Sequence, residues 1–221
     1  MCNIMMKKGF SIVEVAISLT IIGMLVSFVI AGQNIKDNLE LSNVIDDISE
    51  IKTAVADFQS ANGSYPGDMY NAEASFGVDN TDNGNGDGDL GTSEGTGTND
   101  NETLLFWQHL ALAGLISGSY DGATDGKGGR METPMKHGLY GVVKASAASD
   151  MYITVSKASL EGLFSTKQAY DYDLKYDDGD PEAGTVRAVD GTSDTGNCID
   201  TGAYKLTNNS GTPCVMYFYI E

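Results

Sequence analysis

Basic residues are scarce in this chain. Its 13 Lys and Arg stand against 31 Asp and Glu, a formal net charge of −18. Such a deficit argues against nucleic acid as the main partner, because affinity for a phosphate backbone comes from clustered Lys and Arg. It suits a solvated acidic surface and divalent cations equally well. Histidine is almost absent, with only His109 and His137. No Gly-x-Ser-x-Gly, Walker A or dinucleotide fingerprint occurs. The many carboxylates fall in turn-prone stretches, and their separations cannot be read from sequence. These absences argue against an enzyme. The single tryptophan, Trp107, reads as a core anchor, and His109 beside it as a partly exposed helix residue rather than a ligand. No internal repeat is present.

What the chain does have is a long apolar run near its start. From Ser11 to Ala31 the sole charge is Glu14. As a helix this stretch is about 31 Å long, and a bilayer's hydrocarbon core is about 30 Å thick. Lys7 and Lys8 precede it, which sets the N-terminus on the cytoplasmic side. A secretory signal peptide has a similar layout, but its apolar region is usually only ~7–15 residues and carries no carboxylate. A plain anchor gives no reason for Glu14, since a charge costs ~2.5–3.5 kcal/mol at mid-membrane and somewhat less near the interface. An ionisable side chain in such a segment is a functional hypothesis by default.

The string Lys7-Lys8-Gly9-Phe10-Ser11-Ile12-Val13-Glu14-Val15 resembles the N-terminus of type IV prepilins and of the pseudopilins of type II secretion. The resemblance implies cleavage after Gly9 by a prepilin peptidase and N-methylation of Phe10. It also implies that Glu14 pairs with the terminal amine of a neighbouring subunit. That role is physically sound, because a buried carboxylate needs a cationic partner. Cys2 would leave with the leader. Cys198 and Cys214 would remain in an oxidising compartment, where an even pair points to a disulfide. A pair of buried free thiols is the alternative.

Beyond the membrane segment, Ile35, Leu39, Val44, Ile48, Ile51, Val55 and Phe58 recur mostly at three- and four-residue spacings. That predicts one apolar face of a continuing amphipathic helix, with Asp37, Glu40, Asp46, Asp47, Glu50 and Lys52 on other faces. Asn62-Gly63 stops it, and Pro66 follows. The whole helix would run about 75 Å. Gly23 and Gly32 offer places for a bend. The Tyr65-Pro66-Gly67-Asp68 string resembles a turn after the long helix in many pseudopilin-like proteins, and is by itself a good turn sequence.

Residues 79–101 are rich in Gly, Asn, Asp and Thr. Two readings stand. On composition the stretch is a solvated loop. On spacing, Asn83, Asn85, Asp87, Asp89 and Glu94 follow a calcium loop, with Gly88 at its sixth position and Leu90 at its eighth. Asn rather than Asp opens it, and no helix obviously flanks Glu94. The acidic turn Tyr176–Pro181 is a weaker place for a cation.

A second helix is expected over Asn101–Ile116. Ser165 and Gln168 have capping-box spacing for a short helix to about Lys175. Leu139–Lys144, Met151–Ser156, Thr185–Val189 and Val215–Ile220 are short β-prone runs. The expected fold is therefore α+β: a long N-terminal helix packed on a small antiparallel sheet, with loop and short-helix insertions. Its segments would be a leader (1–9), a transmembrane part (10–32), an amphipathic part (33–62) and a head (63–221).

The resemblance implies a structural subunit of a type IV pilus or type II secretion pseudopilus. Its partners would be other pilin or pseudopilin subunits, the prepilin peptidase and an inner-membrane assembly platform. It would be stored as a single-pass inner-membrane protein with a periplasmic head. The alternative is a membrane-anchored, calcium-binding extracytoplasmic domain that does not polymerise.

Overall fold

The computed structural model describes residues 11–77, 81–91, 101–145, 149–192, 197–207 and 211–220; side chains at 30–35, 37 and 38 lie outside that description. The chain forms two compact units, Met1–Asn43 and Val44–Glu221. Helix α1 (Ile12–Asn62) begins in the first and ends in the second, unbroken at Gly23 and Gly32.

In the first unit, α1 carries an 18-residue apolar stretch, Ile12–Val29, with mean hydropathy 2.4 and no part of it buried. It is long and apolar enough to cross a membrane. Its hydroxyls fold back on the helix: Ser18 donates to the Glu14 carbonyl at 2.8 Å, Thr20 to that of Ala16 at 2.7 Å, and Ser27 to that of Gly23 at 2.9 Å. Such bonds let polar side chains sit in an apolar segment at little cost. The Glu14 carboxylate is the one ionisable group there.

In the second unit α1 is amphipathic in fact. Val44, Ile48, Ile51, Val55 and Phe58 are all buried. Leu39, expected on the same face, is exposed. Five residues separate it from Val44, which turns it about 140° away at 3.6 residues per turn. The helix ends as its sequence indicated: Gly63 takes φ +73° and its N–H bonds the Gln59 carbonyl at 2.8 Å. A left-handed residue of this kind closes a helix, and glycine adopts it without strain.

Two further helices follow, α2 (Ala72–Phe76) and α3 (Glu102–Leu112). Next come β1 (Leu139–Val143), β2 (Tyr152–Ser156), α4 (Thr166–Tyr176), β3 (Val186–Asp190), β4 (Ile199–Asp200), β5 (Ala203–Tyr204) and β6 (Cys214–Tyr219). The main sheet has order β1-β2-β6-β3 and is antiparallel throughout; β4 and β5 form a separate small hairpin. The fold is thus α+β, a long N-terminal helix with a small antiparallel sheet and inserted helices. All four expected strands form, each within a residue or so of its expected bounds. β2 and β6 are rich in β-branched and aromatic residues and nearly all buried, as inner strands should be. The Tyr140 hydroxyl on β1 donates to Asp47 of α1 at 2.7 Å, and Lys52 of α1 sits 5.7 Å over the ring of Tyr219 on β6.

The capping box at α4 is present in full: the Gln168 N–H bonds Ser165 Oγ, and the Ser165 N–H bonds Gln168 Oε1 at 3.0 Å. α3 stops at Leu112, short of Ile116, where the Ala113 and Gly114 N–H groups close its last turn. The sequence reading missed α2 and the β4–β5 hairpin, which are too short to show a period.

Cys198 and Cys214 are disulfide-bonded, their Cα atoms 5.0 Å apart and 16 positions apart in sequence. Asp190, at the end of β3, accepts the N–H groups of Cys198 at 2.6 Å and Ile199 at 3.1 Å, and lies opposite Cys214 in the ladder. The bridge therefore fastens the loop before β4 to the first residue of an inner strand. Replacing both cysteines by alanine is expected to lower stability by about 3 kcal/mol for a loop of this length. Urea unfolding of the full chain in detergent, with and without the bridge, measures it, and each single replacement should match the double.

Candidate functional site

Two places carry the functional expectations, one in each unit. In the first, Glu14 lies exposed in the first turn of α1, amid the apolar Ile12–Val29 stretch. Gly9 and Phe10 lie outside the described residues.

In the second unit, three segments converge: the turn after α1, the loop 81–91 and the start of α3. His109 holds the first two to the third. The Gly67 N–H donates to its Nδ1 at 2.9 Å, and its Nε2 is 3.1 Å from the Asp82 carbonyl. A backbone amide can only donate, so Nδ1 accepts and Nε2 carries the proton. The ring is neutral, stacked on Phe58 with centroids 6.3 Å apart and close to Phe76. His109 is fully buried, not partly exposed as its sequence position suggested. Every residue of α3 from Glu102 to Leu110 is buried, so the helix has no solvent face for it to occupy. Trp107 is fully buried in the core, as expected.

Gly67 makes the close approach possible. Its φ is +90°, and a Cβ there would lie 2.3 Å from the Glu102 carbonyl oxygen. The adjoining Asp68 is buried. Its Oδ2 accepts the Gly88 N–H at 3.1 Å, and the Gly84 N–H bonds the Met69 carbonyl at 2.9 Å. Glu102, the first residue of α3, is buried too, and its Oε1 accepts the Asn85 N–H at 2.7 Å. Where the loop ends, the Leu90 and Gly91 N–H groups both bond the Lys144 carbonyl just past β1.

Of the five residues with calcium-loop spacing, four are described. Asn83 Oδ1 accepts the Glu73 N–H at 3.0 Å. Asn85, Asp87 and Asp89 each accept the N–H two residues on, at 2.8, 2.9 and 2.6 Å. Glu94 lies outside the described residues. Asp87 alone of the four joins a cluster of acidic side chains. Its partners there are Asp68 and Glu102, with a carboxylate oxygen of each within 4.8 Å of the others. Asp68 sits in what read as an ordinary turn, and Glu102 reads as a common acid at a helix start. Nothing in the linear sequence joins them.

The electrostatics follow from this packing. Burial raises the Asp68 carboxyl above its usual range, partly opposed by backbone N–H donors, with the Asp87 charge adding to the rise. Burial, with the charges of Asp68, Asp87 and Asp89 behind it, pushes Glu102 from 4.5 up to about 7, against the Asn85 N–H. Burial holds His109 below its ordinary 6.5.

No family model matches the chain, and no curated protein matches it. Among solved structures it is similar to the major type IV pilin PilA1 from Clostridium difficile, at 10% identity over 83% of this chain and 96% of that one, with a TM-score of 0.36. So loose a likeness leaves function to the residues themselves.

His109 and Glu102 bias stability in opposite directions with pH. The His109 contribution is complete above about 6.5 and is lost as pH falls through its depressed value. That of Glu102 is complete below 4.5 and is lost as pH rises through about 7. The windows overlap, so a variant must separate them. His109→Gln is expected to cost about 1–3 kcal/mol at neutral pH through the lost backbone bonds. Its deficit against the unmodified chain should shrink as pH falls below 6.5 and through the histidine's depressed value. Denaturant titrations across that range, with divalent cations chelated, read the difference.

Proposed function

We propose that this chain is a pilin-like structural subunit, stored in the inner membrane through α1 and assembled into a helical filament. The reading rests on one observation: a single carboxylate, Glu14, in an exposed apolar helix of membrane length. In hydrocarbon that carboxylate needs a cation, and the apolar stretch from Ile12 to Val29 supplies none.

Cleavage of Gly9–Phe10 by a prepilin peptidase creates the missing charge, a new ammonium at Phe10. On a neighbouring subunit that ammonium lies four residues before the equivalent of Glu14, so pairing the two sets a defined stagger between packed helices. N-methylation keeps the amine cationic. The apolar segments form the filament core and the acidic second units face outward. An inner-membrane assembly platform extracts each subunit. The role is structural rather than catalytic.

Glu14→Ala should insert into the membrane normally yet enter sheared filaments about tenfold less than the unmodified chain, or not at all, equivalent to about 1.4 kcal/mol or more of lost contact. Membrane fractionation and immunoblotting of the sheared fraction read both quantities, and undiminished assembly would sink the proposal. Intact mass of the mature protein should show loss of residues through Gly9 together with one added methyl group.

A further inference from the structure

Asp68 and Glu102 share an unusual condition. Each is at least nine-tenths buried, with relative exposures of 3% and 5%. Each has one carboxylate oxygen held by a backbone N–H, from Gly88 and Asn85 respectively. The other oxygens, Asp68 Oδ1 and Glu102 Oε2, are buried with no hydrogen-bond partner. Buried acceptors almost always have one, so two on neighbouring carboxylates call for an explanation. Asp87 brings a third carboxylate from the exposed side, and an oxygen of each of the three lies within 4.8 Å of the others.

We propose that Asp68, Asp87 and Glu102 bind a calcium ion. The donors are all carboxylate oxygens, with no nitrogen or sulfur, which selects a hard cation over zinc or copper. With no pair of these oxygens more than 4.8 Å apart, a central point lies within about 2.8 Å of all three, and a small side-chain shift brings them to the ~2.3–2.6 Å of Ca–O bonds. Asp87 lies on the solvent side, where water can complete a shell of ~6–8 oxygens. Magnesium demands near-octahedral ligands at ~2.0–2.1 Å. Backbone bonds pin Asp68 and Glu102 on separate segments and resist that contraction. The ligands come from the turn after α1, the loop and the start of α3, so the ion staples three segments together. This is a different ligand set from the linear loop expected from spacing, with only Asp87 in common.

A second acidic cluster shows the contrast. Asp173, Asp177 and Asp178 are equally close together. There the buried Asp173 accepts the Tyr204 hydroxyl at 2.7 Å and the Gly179 N–H at 3.0 Å, while Asp177 accepts the Thr185 and Val186 N–H groups. Those carboxylates are satisfied by the protein's own donors.

The full chain in detergent, freed of metal with a chelator and then titrated with calcium chloride, tests the site whether or not the chain assembles into filaments. Calorimetry should show one ion per chain with a dissociation constant between about 10 μM and 1 mM, and the melting temperature should rise with calcium. Asp87→Asn, at an exposed position, should weaken binding at least about tenfold, and Glu102→Gln and Asp68→Asn should abolish it. In chelator Glu102→Gln should melt at or above the unmodified chain, because the amide removes a repelling charge and keeps the bond to Asn85. Asp178→Asn should bind as before. No heat and no melting shift up to about 10 mM calcium would overturn the proposal. So would unweakened binding by Asp87→Asn and Glu102→Gln, which would mean a diffuse acidic surface. An equal response to magnesium at the same concentration would overturn the choice of calcium.

Discussion

Val44, Ile48, Ile51, Val55 and Phe58 give up one continuous apolar stripe on α1. Burying five such side chains contributes about 1.5–3 kcal/mol each before the entropy of ordering is set against it. The part of α1 in the second unit is also the longest helical segment among the described residues there. The His109 and Phe76 rings gather at Phe58, the last of the five, and β1 and β6 engage polar residues beside the stripe, Asp47 and Lys52. The same helix earlier in the chain exposes its apolar residues all round. One secondary structure thus serves two environments, and only the pattern of side chains changes.

The acidic balance of the chain is handled in two ways. Many of the described carboxylates hold the backbone: Asp121 accepts the N–H groups of Ala123 and Thr124, Asp177 those at the start of β3, and Asp190 those beside the disulfide. These residues work as turn formers, and their number reflects how much of the chain is loop. Buried carboxylates are the other kind. Asp173 is fully provided for within the protein, whereas Asp68 and Glu102 are half provided for. The difference lies in the second oxygen, which Tyr204 reaches in one case and no side chain reaches in the other.

Periodic features were legible in the sequence. The apolar stripe on α1, its stop at Asn62-Gly63, the four strands of the main sheet, the α4 capping box and the cysteine pair all rest on local spacing or residue chemistry. Leu39 was misplaced because a five-residue step was read as part of a three-and-four pattern. α2 and the β4–β5 hairpin were invisible because so few residues carry no period. The burial of His109 was hidden because it depends on Phe58 and Gly67, more than 40 positions away. Asp68 and Glu102 were both legible as residues but not as neighbours, since tertiary packing alone brings them together. Glu14 stood out because its environment is local: the apolar residues around it are its sequence neighbours.

The order of strands has a consequence for how the second unit comes into being. β6 follows every other described strand, yet it sits inside the sheet between β2 and β3. Before β6 emerges, β1 and β2 can pair as a hairpin, but β3 has no partner in the main sheet and Cys198 has none for its disulfide. Sheets dominated by such distant pairings close slowly. The second unit therefore stays open until nearly all of it has been synthesised, while α1 has been complete since early in translation. A chain built this way presents a finished apolar helix of membrane length while the sheet that follows it is still unpaired.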